Sequence, residues 1–249
     1  MMALLDGSWV TEGGLETDLL FNHGIDLPGF AAFPLVDDAE GTAVLRRYYA
    51  DYAAIARTEG VGLLLETPTW RANADWGREL GYDAQALDRV NRLAVELIRA
   101  ALAAADVPER RISGCIGPRG DGYVAARTVA DAATEYHVTQ IRTLADAIRA
   151  VDDGAPADFY GLNCAHPTHV LAALDGGSWQ QRLTFFRPNA STLSHAELDV
   201  MEELDAGDVP VLVGSTRKVL AGLSAVAVLG GCCGTDSRHV AVLWRNGSS

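Results

Sequence analysis

The chain has 249 residues, 49% of them hydrophobic, and its 20 Lys and Arg against 33 Asp and Glu leave a net charge of −13. That is apolar enough for a sizeable core, while so acidic a balance argues against nucleic acid or an anionic membrane surface as a partner. The opening Met1-Met2-Ala3-Leu4-Leu5-Asp6 has no basic segment and too short an apolar run for a signal peptide. The longest mostly apolar stretch, Val219 to Gly234, is too short and too broken by glycine to cross a bilayer. A cytoplasmic protein is expected, with four cysteines too few for a disulfide scaffold.

Along the chain, short apolar runs alternate with helical spacing, the pattern of βα units. Ser8 to Thr11 reads as a first strand running into Glu12-Gly13-Gly14. Glu40 to Glu59 has helical spacing through Val44, Leu45, Tyr48, Tyr52 and Ile55, and Gly60 suits its C-terminus. Val61 to Glu66 is a buried strand, Asp83 to Ala105 a helix, Arg111 to Ile116 a strand and Val129 to Val151 a helix. Asp158 to Leu162 is a strand ending at Asn163-Cys164, with Thr168 opening a short helix. Arg182 to Arg187 is a strand, and Ser194 with Glu197 forms a capping box for the next helix. Ala225 to Leu229 is the last strand, and Asp236 caps a final helix through Trp244.

Six such units result, with the chemically unusual residues just after the strands. In a parallel α/β barrel all strand C-termini open on one face, where sites are built. A TIM-type (βα)₈ barrel is therefore expected over a doubly wound sheet, whose GxGxxG is missing after the first strand. The whole of 1–249 reads as one such domain.

Cys164, Cys232 and Cys233 stand at strand ends, where a barrel would bring them together. Three thiolates with one open position suit a catalytic Zn²⁺, although cysteines also serve as small buried residues. His166, two residues beyond Cys164, reads as an orienting or capping group, and Cys115 as packing. Glu66 and Trp70, in Glu66-Thr67-Pro68-Thr69-Trp70-Arg71, offer a carboxylate and an indole to a methyl-sulfonium cation. Equally, Trp70 could be an apolar lid and Glu66 a partner for Arg71. Gly117-Pro118-Arg119-Gly120-Asp121-Gly122 reads as a loop over the site.

Glu12-Gly13-Gly14-Leu15-Glu16-Thr17, Gly117-Pro118-Arg119-Gly120, Gly161-Leu162-Asn163-Cys164-Ala165-His166-Pro167 and Gly230-Gly231-Cys232-Cys233-Gly234-Thr235 together resemble the homocysteine S-methyltransferase family. That family includes betaine–homocysteine methyltransferase and the homocysteine domain of cobalamin-dependent methionine synthase. The resemblance implies a (βα)₈ barrel with zinc on Cys164, Cys232 and Cys233 and homocysteine thiol as fourth ligand. It implies that a methyl donor, S-methylmethionine first, S-adenosylmethionine second and betaine third, converts homocysteine to methionine. It also implies that the turn at Glu12, Gly13, Gly14 and Glu16 holds the amino-acid end, its carboxylates taking the ammonium and its glycine amides the carboxylate, and it adds Asn163 to the substrate-binding set. A zinc-binding relative without catalysis, with an oligomerising or regulatory role, and a zinc-free α/β protein with packing cysteines are the alternative readings.

The count of units departs from the family. A closed barrel of this type needs eight, and six are visible. The expected seam falls between Leu144 and Val151, with a loss of roughly 50–60 residues at about 30 per unit. An incomplete or distorted barrel would result, with open edges through which a second copy could pair.

Overall fold

A computed structural model describes residues 5, 7–117, 148, 153, 158–193, 195–198, 201, 203–245. Among these, six parallel strands form one curled sheet flanked by helices, an α/β half-barrel. The strands are β1 (Trp9–Val10), β2 (Gly62–Glu66), β3 (Arg110–Ser113), β4 (Tyr160–Asn163), β5 (Leu183–Arg187) and β6 (Val228–Leu229). Their spatial order is β3-β2-β1-β6-β5-β4. The first strand thus lies between the second and the last, as in a barrel; a doubly wound sheet would place the fourth beside the first.

The α-helices with described bounds are α1 (Leu15–Thr17), α2 (Ala39–Glu59), α3 (Ala74–Glu79), α4 (Ala84–Ala104), α5 (Pro167–Ala173), α6 (His195–Leu198), α7 (Val209–Gly222) and α8 (Ser237–Arg245), with shorter 3₁₀ and π turns between some of them. Their ends follow from capping chemistry. Asp38 and Asp83 accept amide hydrogen bonds at the starts of α2 and α4, and α2 stops at Gly60, whose φ of 67° is the left-handed value glycine tolerates. Asp236 accepts from the amides of Arg238 and His239 and caps α8, as the sequence leads one to expect. None of the described helices is long and apolar enough to cross a membrane.

Registers place Trp9 beside both Gly62 and Val228, so these share one face of the sheet. Trp9, Leu64 and Val228 form a small inner core there. A Cβ at Gly62 would sit 2.5 Å from the Trp9 ring, so only glycine lets the indole lie flat on the strand. The opposite face, with Val10, Leu63 and Leu65, packs on α2 and α4 in a larger cluster. Phe186 and Leu229 join α5 and α7 in a second one.

Strand limits differ modestly from expectation. β3 ends at Ser113 because Thr67 N–H closes the ladder on the Ser113 carbonyl. Beyond it, the Cys115 amide turns to the Thr67 hydroxyl. Helix α6 begins at His195, directly after the position where a capping box was expected, and α7, capped by Asp208, follows as a separate helix. Ser194, the seam between 144 and 151, the loop at 118–122 and all but Ile148 of the helix expected over 129–151 lie outside the described residues.

Candidate active site

The carboxyl ends of all six strands converge on one cavity of about 320 Å³. The ten residues singled out in the sequence, Glu12, Gly13, Gly14, Glu16, Glu66, Trp70, Asn163, Cys164, Cys232 and Cys233, all line it. So does Cys115, which the sequence reading assigned to packing. It stands on the wall beyond β3 because Thr69 Oγ1 donates to its carbonyl and Thr67 accepts its amide.

The three clustered thiols are positioned by backbone bonds between neighbouring strand ends. Cys164 N–H donates to the Arg187 carbonyl at 3.0 Å, and Cys232 N–H to the Pro188 carbonyl at 2.8 Å. The Cys233 carbonyl receives the Ala190 amide at 3.1 Å. Cys164 has φ of +60°, a left-handed conformation uncommon for a side chain of this kind, and such strain is often retained where geometry serves function. The result is three Sγ atoms all within 4.8 Å of one another.

Hydrogen bonding with Cys164 and Cys233, then burial, pushes the Cys232 thiol well above its ordinary range. Three sulfurs around one tetrahedral zinc would stand about 3.8 Å apart at 2.3 Å bond lengths, so the observed cluster needs only a small contraction to fit a soft metal ion. His166 is not part of this set. Its Nδ1 lies 2.7 Å from Thr168 Oγ1 and accepts the Thr168 amide at the start of α5, the capping role expected of it.

Beside the thiols stands a charge cluster centred on Arg187, which the sequence alone did not single out. Nη1 donates to Glu66 Oε1 at 2.9 Å, Nη2 lies 3.5 Å from Glu12 Oε1, and Nε donates to the Gly231 carbonyl at 3.1 Å. Glu66 is thus paired with Arg187. Arg71, its proposed partner, instead stacks over Trp76 at 3.8 Å and Trp70 at 4.7 Å, and donates to the Gly29 carbonyl. The signal for Arg187 was present: Leu-Thr-Phe-Phe-Arg is a buried run ending in a charge, at the same strand-end position as Glu12 and Glu66.

Burial pushes the carboxyl of Glu12 up to about 7, against the opposing pull of Arg187. Burial does the same for Glu16, also up to about 7. The glycines of this turn are required by close approach. A Cβ at Gly14 would lie 2.5 Å from the Cys232 carbonyl oxygen. The Gly14 amide, expected to be offered to a ligand carboxylate, donates to the Thr235 carbonyl at 3.0 Å instead. The β1 turn and the cysteine turn are thereby locked edge to edge, and Gly234 N–H adds a bond to Thr17 Oγ1. From behind, Tyr48 donates to the Gly13 carbonyl and Tyr49 to that of Glu66, so α2 braces both turns.

The homocysteine S-methyltransferase family model matches residues 9–152 and 142–246. The chain belongs to the homocysteine S-methyltransferase family. Its reaction class is therefore methyl transfer to homocysteine. Two solved structures of the homocysteine methyltransferase MmuM from Escherichia coli share the architecture. The metallated form aligns with a TM-score of 0.64 at 17% identity over 96% of each chain. The oxidized form aligns at 0.65 and 19% identity over 95% of this chain and 94% of the other. At these identities the likeness speaks for the fold. No curated protein matches the chain significantly.

Proposed function

We propose that the chain is a zinc-dependent enzyme that moves a methyl group from a sulfonium donor, S-methylmethionine first and S-adenosylmethionine second, to the thiol of homocysteine, giving methionine. The observation that carries this reading is the convergence of Cys164, Cys232 and Cys233 on the wall of an acidic cavity at the strand C-termini. When bound, zinc supplies the Lewis acidity that keeps a substrate thiol deprotonated at neutral pH, where a free thiol is mostly protonated. The chain's residues do the rest. Cys164, Cys232 and Cys233 hold the ion, and the β1 turn fixes the amino-acid end. Glu12, Glu16 and Glu66 outnumber Arg187 in the cavity, leaving it a negative field that favours a cationic donor. Trp70 and Asn163 complete the wall on which the donor rests. No covalent enzyme intermediate is needed; orienting two substrates supplies much of the acceleration.

The test is a screen of methyl donors with homocysteine, read as methionine formed by the purified, zinc-analysed protein. Methionine from S-methylmethionine or S-adenosylmethionine supports the reading, and zinc without turnover of any donor overturns it. We place the reaction in the cytoplasm, as a step of methionine formation.

We further propose that two βα units are missing between about 144 and 151. Two observations support it: the family model matches in two pieces that meet at 142–152, and among the described residues β3 and β4 lie at the two edges of the sheet. Both edge strands carry exposed residues, Ile112 among them at 39%. Pairing of a second copy at these edges follows, and sedimentation velocity tests it.

A further inference from the structure

A second cavity, of about 490 Å³, adjoins the thiol cavity, and Thr17, Phe30 and Cys233 line both. The boundary between the two therefore runs beside one of the clustered thiols. Arg71 is the one cationic residue on the second cavity among the described residues, and it is only 6% exposed. Its guanidinium lies over the Trp76 ring at 3.8 Å and the Trp70 ring at 4.7 Å, and Nη1 donates to the Gly29 carbonyl at 2.7 Å. Trp70 stands on the wall of the first cavity, so Arg71 is held in the partition. Phe30, directly after Gly29, has φ of +53°, a strained value for a residue of this size.

The same cavity carries carboxylates. Asp205 is held by the Ser191 hydroxyl and the Gly207 amide, and Glu203, two positions earlier, is exposed. Phe21 and Met201 supply apolar wall that remains 41% and 39% exposed. One buried cation, two carboxylates and an apolar surface are the complement of a zwitterionic amino acid with an uncharged stem. A guanidinium stacked and oriented in advance has less freedom to lose on meeting a carboxylate.

We propose that the second cavity takes the amino-acid end of the methyl donor, with Arg71 receiving its carboxylate and Asp205 and Glu203 its ammonium. This assignment rests on the donor being a sulfonium amino acid, as proposed above. The sulfonium then lies at the boundary of the two cavities, its methyl group toward the thiols. An electron pair of the substrate thiolate forms the new bond to the methyl carbon. The pair of the broken bond stays on the donor sulfur, which leaves as a neutral thioether. S-methylmethionine and S-adenosylmethionine share the carboxylate and the ammonium, whereas betaine has no ammonium. The cavity thereby selects an amino-acid donor over a simple onium cation.

The experiment compares S-methylmethionine with its amide, in which an uncharged carboxamide replaces the carboxylate, as donors to homocysteine on the zinc-containing protein. Steady-state kinetics give KM and kcat, and calorimetry gives the Kd of each donor. Wild type should prefer the acid about 10- to 100-fold, the worth of a charge-assisted pair. Arg71→Gln should bring that preference close to one by weakening the hold on the acid, and Arg71→Lys should restore part of it. Because Arg71 also holds Gly29, Arg71→Gln should lower the melting temperature as well. A merely structural role would weaken acid and amide alike and keep their ratio at the wild-type value, which overturns the assignment. Met201→Trp, at an exposed position, should narrow the cavity and raise KM for both donors; an unchanged KM there also counts against it. Methionine formed from the acid with no preference over the amide refutes the carboxylate site while methyl transfer stands. A protein that turns over no sulfonium donor overturns the transfer itself, and this assignment with it.

Discussion

Arg187 Nη1 donates to Glu66 Oε1 at 2.9 Å, joining residues 121 positions apart at the ends of β5 and β2. With Nη2 beside Glu12 and Nε on the Gly231 carbonyl, one guanidinium ties together four strand ends. Replacing it strands two carboxylates in a place where water reaches only Glu66 to any extent. Arg187→Met is expected to cost about 3–5 kcal/mol of unfolding free energy, the range for breaking a buried pair. Urea denaturation measures it. Arg187→Lys should regain only part, since a point charge cannot reach both carboxylates and a carbonyl as a planar fork does. A methionine variant as stable as wild type would show that the cluster does not hold the strand ends.

Metal analysis of the purified chain should find about one zinc per molecule, because three clustered thiols supply three ligands of a tetrahedral site. Cys232→Ser or Cys233→Ser should lose the metal while circular dichroism keeps its wild-type shape. Protein that purifies free of metal, resists reconstitution and exposes all its thiols to a disulfide reagent would contradict this.

Cys164→Ala is expected to abolish methyl transfer through kcat, not through KM alone. On wild type, X-ray absorption at the zinc edge should gain one sulfur neighbour on addition of homocysteine. An unchanged sulfur count at saturating homocysteine would leave the metal a structural one.

Asp236 gives a pH-dependent term. Burial alone would raise its carboxyl, but hydrogen bonds from His239 and Arg238 outweigh it and hold the group below its ordinary value of 3.8. A depressed carboxyl stabilises the fold above its unfolded value and loses that contribution as pH falls below it. Wild type should therefore lose stability from about pH 3.8 downward, and Asp236→Asn should show a shallower acid slope. Because asparagine still caps a helix, Asp236→Asn isolates the charge, whereas Asp236→Ala also removes the cap of α8, at about 1 kcal/mol. Thermal melts between pH 3 and 7 compare all three; equal acid slopes in wild type and Asp236→Asn would remove the charge from the account.

Grafting two βα units from a relative into the segment between Leu144 and Val151 should raise both the melting temperature and methyltransferase activity. A native chain that sediments as a monomer and is already as active and stable as the graft would mean that no units are missing.

Much of this architecture was legible from side-chain order. The buried strand at Val61 to Glu66, the spacing of Leu45, Tyr48 and Tyr52, and the caps at Asp83 and Asp236 are local signals, and local physics decides them. The gathering of ten chosen residues on one cavity also follows from a single rule, that strand C-termini open together. What escaped was pairing at a distance. Whether Glu66 meets Arg71, five positions on, or Arg187 depends on which way each strand end turns, and spacing carries no trace of that. Likewise the Gly14 amide is consumed by Thr235 because two turns meet, a fact of tertiary register that neither turn announces.

The bond from Gly234 N–H to Thr17 Oγ1 spans 217 residues, and β6 takes its place beside β1 at the middle of the sheet. Residues 228–235 are also among the last of this sheet to emerge from the ribosome, so β1 must wait, unpaired on that side, for nearly all the rest to be made. The nascent chain thus carries Glu12 and Cys164 on separate, unjoined halves, and neither half has a complete set of thiols. A metal ion captured before residue 232 has been added would meet only Cys164 of the three. A ribosome stalled short of the Gly-Gly-Cys-Cys-Gly turn therefore holds a chain in which the three-thiol cluster is not yet assembled.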